Sequence, residues 1–227
     1  MIFSAGNVPI CSYVPAEKPL AGMKDEVSRI LSLMDEMGKT IRKSSRLLDR
    51  SQVLAFRKEI LSVQRVYTAG AGRSGFIAKA FGMRLMHLGF ESYVVGETIT
   101  PPLRPGDTLV VVSGSGETQS MVSICETAKG LGGRVFLITA SPDSRIGLIS
   151  DGVVNLGDLT GYYREDRSTF ELRQLTGEYR SVTTSFAPLG TLFETLALVF
   201  TDAVVSSLIE AREEKISTMK GRLTNVE

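Results

Sequence analysis

From Met23 onward, apolar residues fall into a sustained rhythm. Val27, Ile30, Leu31, Met34, Met37 and Ile41 recur three and four positions apart, which predicts an amphipathic helix to about Leu48. A second helix is expected after it, capped by Ser51, with Val53, Leu54, Phe56, Ile60 and Leu61 as its buried face. Residues 1–22 show no such period and carry Pro9, Pro15 and Pro19. They read as a loosely ordered extension, with Met23 an alternative beginning.

Beyond Val66 the pattern changes to short apolar runs separated by helical stretches. The expected order is strand Val66–Ala69, turn Gly70–Gly75, helix Phe76–Leu88 and strand Ser92–Val95, then a proline-rich loop over 100–106. Strand Thr108–Val112, helix Gln119–Leu131, strand Val135–Thr139, short helix Ser144–Ile149 and strand Gly152–Leu156 follow. Strands that are apolar throughout, without polar alternation, belong to a parallel sheet covered on both faces. The expected fold is therefore α/β: a doubly wound five-stranded parallel sheet with helices on both faces, plus N-terminal and C-terminal helices. Ligands in such sheets sit beyond the carboxyl ends of the strands, where both glycine-rich turns fall. A polar stretch over 158–185 (Tyr162, Tyr163, Arg164, Arg173, Tyr179, Arg180) reads as a functional or mobile loop with a brief helix around Phe170–Leu175. An apolar helix from Pro188 to Ile209 closes the domain of residues 23–209, and a charged tail occupies 210–227.

Composition narrows the function. Lys and Arg total 26 against 25 Asp and Glu, so no basic surplus exists to hold a nucleic-acid backbone. Two unlike cysteines, Cys11 and Cys125, do not make a disulfide framework and suit a reducing cytoplasm, Cys125 as a packing residue. One histidine, His87, excludes a histidine-based metal cluster, and no metal is expected. Neither a signal peptide nor an apolar run of about 20 residues is read from the chain, so no membrane partner is expected. Met83, Met86 and Met121 are expected as core filler.

The chemistry gathers at the two turns. Val110–Val112 runs into Ser113, Gly114, Ser115, Gly116, Glu117 and Thr118 at a helix start. Glycines there let the backbone approach, amides point outward, the helix dipole favours an anion, and three hydroxyls can donate to phosphate oxygens. An ordinary polar βα turn that merely caps its helix is the plainer reading. The other turn, Gly70-Ala71-Gly72-Arg73-Ser74-Gly75, matches the dinucleotide pattern G-x-G-x-x-G, with Glu97 near enough to reach a ribose. Two hydroxyl-bearing turns at neighbouring strand ends suit one phosphomonoester better than a dinucleotide, and no Walker A pattern is present. Arg73 can pair with phosphate or simply solvate its turn. In Leu189–Phe200, Glu194 is the only ionisable side chain; burial there would raise its pKa toward that of a general base, whereas a helix-surface glutamate is the plainer reading. His87 is a packed helical residue or an acid, Glu97 a loop charge or a second acid, and Arg173 a surface arginine or a lid group.

In order, the motifs GAGRSG, MRLMHLGF, VVGETITPP, SGSGET and PLGTLFE resemble the sugar isomerase (SIS) domain family, and within it the 6-phospho-3-hexuloisomerases. The similarity runs from about Met23 to Ile209. It implies interconversion of D-arabino-hex-3-ulose 6-phosphate and fructose 6-phosphate without metal or cofactor, in a cytoplasmic homotetramer. Glu194 is then the proton acceptor, and His87 an acid for sugar oxygens that reaches a neighbouring subunit's site. Gly72, Arg73, Ser74, Ser113, Gly114, Ser115, Gly116, Glu117, Thr118, Glu97 and Arg173 would hold the sugar phosphate.

Overall fold

A computed structural model describes residues 20–157, 191–212 and 221–222. Expectations for residues 1–19, the polar stretch from 158 with Arg173, the helix start at Pro188, Cys11 and most of the charged tail lie outside these residues.

Five strands form one parallel sheet: β1 (Arg65–Gly70), β2 (Glu91–Val94), β3 (Thr108–Val112), β4 (Arg134–Thr139) and β5 (Gly152–Asn155), in the order β2-β1-β3-β4-β5. The helices are α1 (Leu20–Leu47), α2 (Arg50–Ser62), α3 (Gly72–His87), α4 (Gln119–Gly130), α5 (Arg145–Ile149) and α6 (Thr191–Ala211). Successive strand residues alternate between two apolar layers. Val66, Val110, Val112, Phe136 and Ile138 join α2, α3 and α6 in one core, while Tyr67, Leu109, Val111, Val135 and Leu137 join α4 and α5 in the other. Both faces of each central strand are thus removed from water, which is why the strands read as unbroken apolar runs. In the first core the Phe56 ring lies within 6.1 Å of the Phe81, Phe136 and Phe200 rings, tying α2, α3, β4 and α6 together.

Strand order reverses direction between β1 and β3, so α3 and α4 leave the sheet on opposite faces. In open α/β sheets the carboxyl ends of the strands flanking such a switch point form the crevice where ligands bind. The register of β1 and β3 pairs Gly70 with Val112, which starts both glycine turns side by side, about 4.8 Å apart.

Several expectations are corrected. Asp49, not Ser51, caps α2: its Oδ1 accepts from the amides of Ser51 at 2.7 Å and Gln52 at 3.3 Å, and the carboxylate also complements the helix dipole. Helix α3 begins at Gly72, four residues earlier than its apolar rhythm suggested. The second half of the glycine motif is itself the first helical turn, and a Cβ on Gly75 would meet the Gly70 carbonyl oxygen at 2.8 Å. Leu54, Met83 and Met86 are exposed rather than buried, and only Met121 of the three methionines is core. Helix α6, finally, is long and apolar enough to cross a membrane by length and composition, contrary to expectation. Its apolar character has an account within the fold, because Leu192, Phe193, Leu196, Ala197, Phe200, Val204, Val205 and Leu208 are buried in the first core. Each large one contributes about 1.5–3 kcal/mol when fully buried.

Helix α1 divides in two. In its first part, up to Glu36, Val27, Ile30, Leu31 and Met34 are exposed on one stripe. In its second part Ile41 packs on the first core, and buried Ser44 donates its hydroxyl to the Thr40 carbonyl.

Candidate active site

In the turn after β3, two backbone carbonyls are held by the neighbouring β4–α5 segment. The Gly114 carbonyl accepts from the Ala140 amide at 3.1 Å and the Thr139 hydroxyl at 3.1 Å, and the Gly116 carbonyl accepts from the Ile146 amide at 3.2 Å. Ser113 Oγ accepts from the Gly116 amide at 3.1 Å and Ser115 Oγ from the Glu117 amide at 3.2 Å. Both hydroxyls keep their proton for an outside acceptor. Thr118 stands at the N-cap of α4 yet its side chain makes no capping hydrogen bond, and it is nearly buried. A hydroxyl at a helix N-terminus that does not cap the helix is available to a ligand.

Gly116 makes this turn feasible. Its φ is +63°, and a Cβ would sit 1.9 Å from Ser144 Oγ. Ser144 and Thr139 thus hold the turn in place, a role the sequence reading missed. The available signal was a serine before a short helix, since Ser144 Oγ accepts from the Gly147 amide and caps α5.

The first turn is simpler. Gly72, at φ +56°, admits the chain to α3, and a Cβ on Gly70 would meet the Ser74 carbonyl oxygen at 2.7 Å. Close packing of turn on helix brings the first amides of α3 beside the end of β1, with Ser74 buried against them. Two helix N-termini, α3 and α4, therefore flank the same crevice, each adding partial positive charge.

Glu194 lies in the first turn of α6, a helix packed along α3. Its Oε2 is 3.4 Å from Arg73 Nε, at the first glycine turn. This is an ion contact without hydrogen-bond geometry: Oε2 is buried with no hydrogen-bond partner among the described residues. The Glu194 side chain is 14% exposed and the Arg73 side chain 52%. Burial drives the Glu194 carboxyl up to a pKa of about 7, against the lowering influence of Arg73 and a backbone hydrogen bond. A carboxyl titrating there exchanges a proton readily at neutral pH, as a general base must.

The structure therefore brings together Gly72, Arg73, Ser74, Ser113, Gly114, Ser115, Gly116 and Thr118, with Glu194 linked to them through Arg73. Three expected residues stand differently. The carboxylate of Glu117 accepts from the Arg145 amide at 2.9 Å, so it braces the turn against α5, and as an anion it would repel phosphate. Glu97, beyond β2 at the sheet edge, is paired with Lys79 at 2.6 Å, both half-exposed. His87 ends α3, about 22 Å along the helix from Gly72 at 1.5 Å per residue, and is not near its own chain's turns. Burial and then neighbouring Arg84 hold its imidazole below the usual value of 6.5, and its Nδ1 is buried without a hydrogen-bond partner among the described residues.

The profile of the SIS domain matches residues 59–156. A 3-hexulose-6-phosphate isomerase of Bacillus subtilis is 40% identical over 168 residues, covering 74% of this chain and 83% of its own. One from Mycobacterium gastri is 35% identical over 204 residues, covering 89% and 92%. Among solved structures, a Methanococcus jannaschii protein whose crystal structure infers a 3-hexulose-6-phosphate isomerase is 27% identical, with TM-score 0.69 and coverage of 86% of this chain and 98% of that one. The span matched by the SIS domain, residues 59–156, contains both glycine turns and all five strands. The chain belongs to the SIS domain family, and to the isomerases within it.

Proposed function

We propose that the chain interconverts D-arabino-hex-3-ulose 6-phosphate and fructose 6-phosphate by moving one proton between C2 and C3 through a cis-enediol(ate). The turns Gly72–Ser74 and Ser113–Thr118 hold the phosphate, as two helix N-termini and four hydroxyls suit a dianion better than any uncharged sugar. Glu194 takes the proton from one carbon and returns it to the other. A single carboxylate suffices, because both carbons lie on the same enediolate. Phosphate on O6 prevents the 3-ketose from closing a five-membered ring, so in that direction the substrate arrives open-chain and needs no ring-opening catalyst.

The observation that carries this reading is the placing of Glu194: a buried carboxyl with a pKa of about 7, in ion contact with Arg73 of the first glycine turn. Its relatives named 3-hexulose-6-phosphate isomerase support the choice of substrate. His87, remote from its own chain's turns, donates to a sugar oxygen in a neighbouring subunit's site within a homotetramer. The exposed stripe Val27, Ile30, Leu31 and Met34 on α1 supports such subunit packing, since apolar side chains in a row favour a covering partner.

Proton NMR of the protein with fructose 6-phosphate in deuterated water tests the reaction. Loss of the C3 proton signal with appearance of the 3-ketose is the expected outcome. Binding without exchange would leave a sugar-phosphate receptor and overturn the reading.

A further inference from the structure

Arg73 stands between two demands. It occupies the second position of α3, where an anion at the helix N-terminus would lie, and its Nε is 3.4 Å from Oε2 of Glu194. Among the described residues it is the one charged group acting on that carboxylate. Arg50 and Lys58 of α2 and Arg84 of α3 are further cations on the helices packed against α6, and none of them acts on the Glu194 carboxyl. Arg57 of α2 donates to Ser207 at 2.8 Å near the far end of α6, Glu59 is held by Thr108 and Arg134, Lys79 of α3 pairs with Glu97, and Glu117 accepts from Arg145. The Arg73–Glu194 contact lacks hydrogen-bond geometry, and the guanidinium is half-exposed, so this contact yields readily to a stronger anion.

From this geometry we infer that Arg73 is a positioning residue that couples seating of the substrate phosphate to the basicity of Glu194. The inference rests on the isomerase reading above for its consequence in catalysis, though not for its electrostatics. Without ligand, Arg73 opposes the effect of burial and favours the ionised form of the carboxyl, the form that accepts a proton. A dianion in the crevice draws the guanidinium to itself and adds negative charge nearby. Glu194 then loses its counter-charge and becomes a stronger base while the substrate is bound. An opposite charge within about 4–6 Å moves a carboxyl by about 1–3 pKa units, and half-exposure of Arg73 places the effect at the lower end.

NMR titration of protein labelled with δ-13C glutamate, with Glu194 assigned through Glu194→Gln, tests this without turnover. Sulfate serves as the probe because its charge stays fixed across the titration. In the wild type, saturating sulfate is expected to raise the Glu194 pKa by about one unit or more. In ligand-free Arg73→Met the value starts about one unit higher and sulfate moves it less, while Arg73→Lys behaves as the wild type. An unchanged Glu194 pKa in ligand-free Arg73→Met overturns the proposal, and so does a wild-type value that sulfate leaves in place. Kinetics give an independent readout: the acid limb of kcat lies about one unit above that of kcat/KM, and Arg73→Met brings the two together. Were the wild type to show this titration but no exchange of sugar protons, the isomerase reading would fail and the coupling stand. Turnover whose pH limbs ignore Arg73 would do the opposite, ending the coupling and leaving the isomerase intact.

Discussion

The two ends of the sheet are built on opposite principles. At the amino end each strand begins at or just after a charge, and across the sheet the order is Glu91, Arg65, Asp107, Arg134, Asp151, alternating in sign. These charges are matched at home. Arg65 Nη1 lies 3.1 Å from Asp107 Oδ2, an ion contact without hydrogen-bond geometry. But Arg65 Nε also lies 3.6 Å from Glu91, and its Nη2 donates to the Pro102 carbonyl at 3.1 Å, which anchors the loop leading into β3. Arg134 reaches Glu59 at 3.1 Å, and Asp151 reaches Lys129 at 2.7 Å. At the carboxyl end the same strands finish in glycines and hydroxyls. There Thr118 caps nothing, and Glu194 Oε2 has no hydrogen-bond partner among the described residues. Polar groups satisfied within the chain hold a fold together; polar groups left in want at a crevice are available to a ligand.

Substitutions at the two ends should separate these roles. Glu194→Gln has the largest expected effect, a fall in kcat of about 10³-fold, within the range of general base catalysis, with the affinity for sulfate kept. Retained turnover would remove the assignment. The same variant reports on stability. The folded pKa of Glu194, about 7, is raised above the free value of 4.5, so the protonated form favours the native state. Its contribution is present below pH 4.5 and is lost as pH rises through about 7, a change on the order of 3 kcal/mol. Denaturant melts at pH 5 and pH 8 should show the wild type losing more stability than Glu194→Gln over that interval. Equal losses would mean the carboxyl is not desolvated as described.

Asp107→Ala comes next, and at the other end. It leaves Arg65 buried with its nearest carboxylate gone and frees the Arg104 amide, which Asp107 Oδ2 accepts at 2.7 Å. A cost of about 3 kcal/mol in urea denaturation is expected, with KM unchanged below the melting range. A raised KM with little loss of stability would erase the distinction between the ends. Thr118→Val is the smallest and the most discriminating. Stability is expected to stay within about 0.5 kcal/mol because no capping bond is lost, while KM rises about tenfold through one hydrogen bond to a charged group. A destabilised but fully active Thr118→Val would make that hydroxyl structural.

Much of the fold was legible in the chain because its rules are local. Unbroken runs such as Val110–Val112 named buried parallel strands, and the glycines at 72 and 116 marked turns whose positive φ only glycine adopts easily. The hydroxyls of the second turn were visible for the same reason, since strand, turn and helix start are contiguous. Asp49 was overlooked because a capping side chain reaches two or three residues onward, and Ser51 offered a nearer apolar run to cap. The glycine motif hid the first turn of α3, as it reads as loop until the packing of Gly75 on Gly70 is known.

By itself, then, the sequence determined the α/β succession, the two glycine-and-hydroxyl turns and the isolation of Glu194 among apolar neighbours. Tertiary structure decided which ends meet. Along the chain the strand-leading charges run Arg65, Glu91, Asp107, Arg134, Asp151 without alternation, and only the order β2-β1-β3-β4-β5 sets opposite signs side by side. Likewise only the packing of α6 along α3 carries Glu194 to Arg73. Pairing of this kind is a property of distance in space, and Coulomb attraction falls with that distance irrespective of separation along the chain.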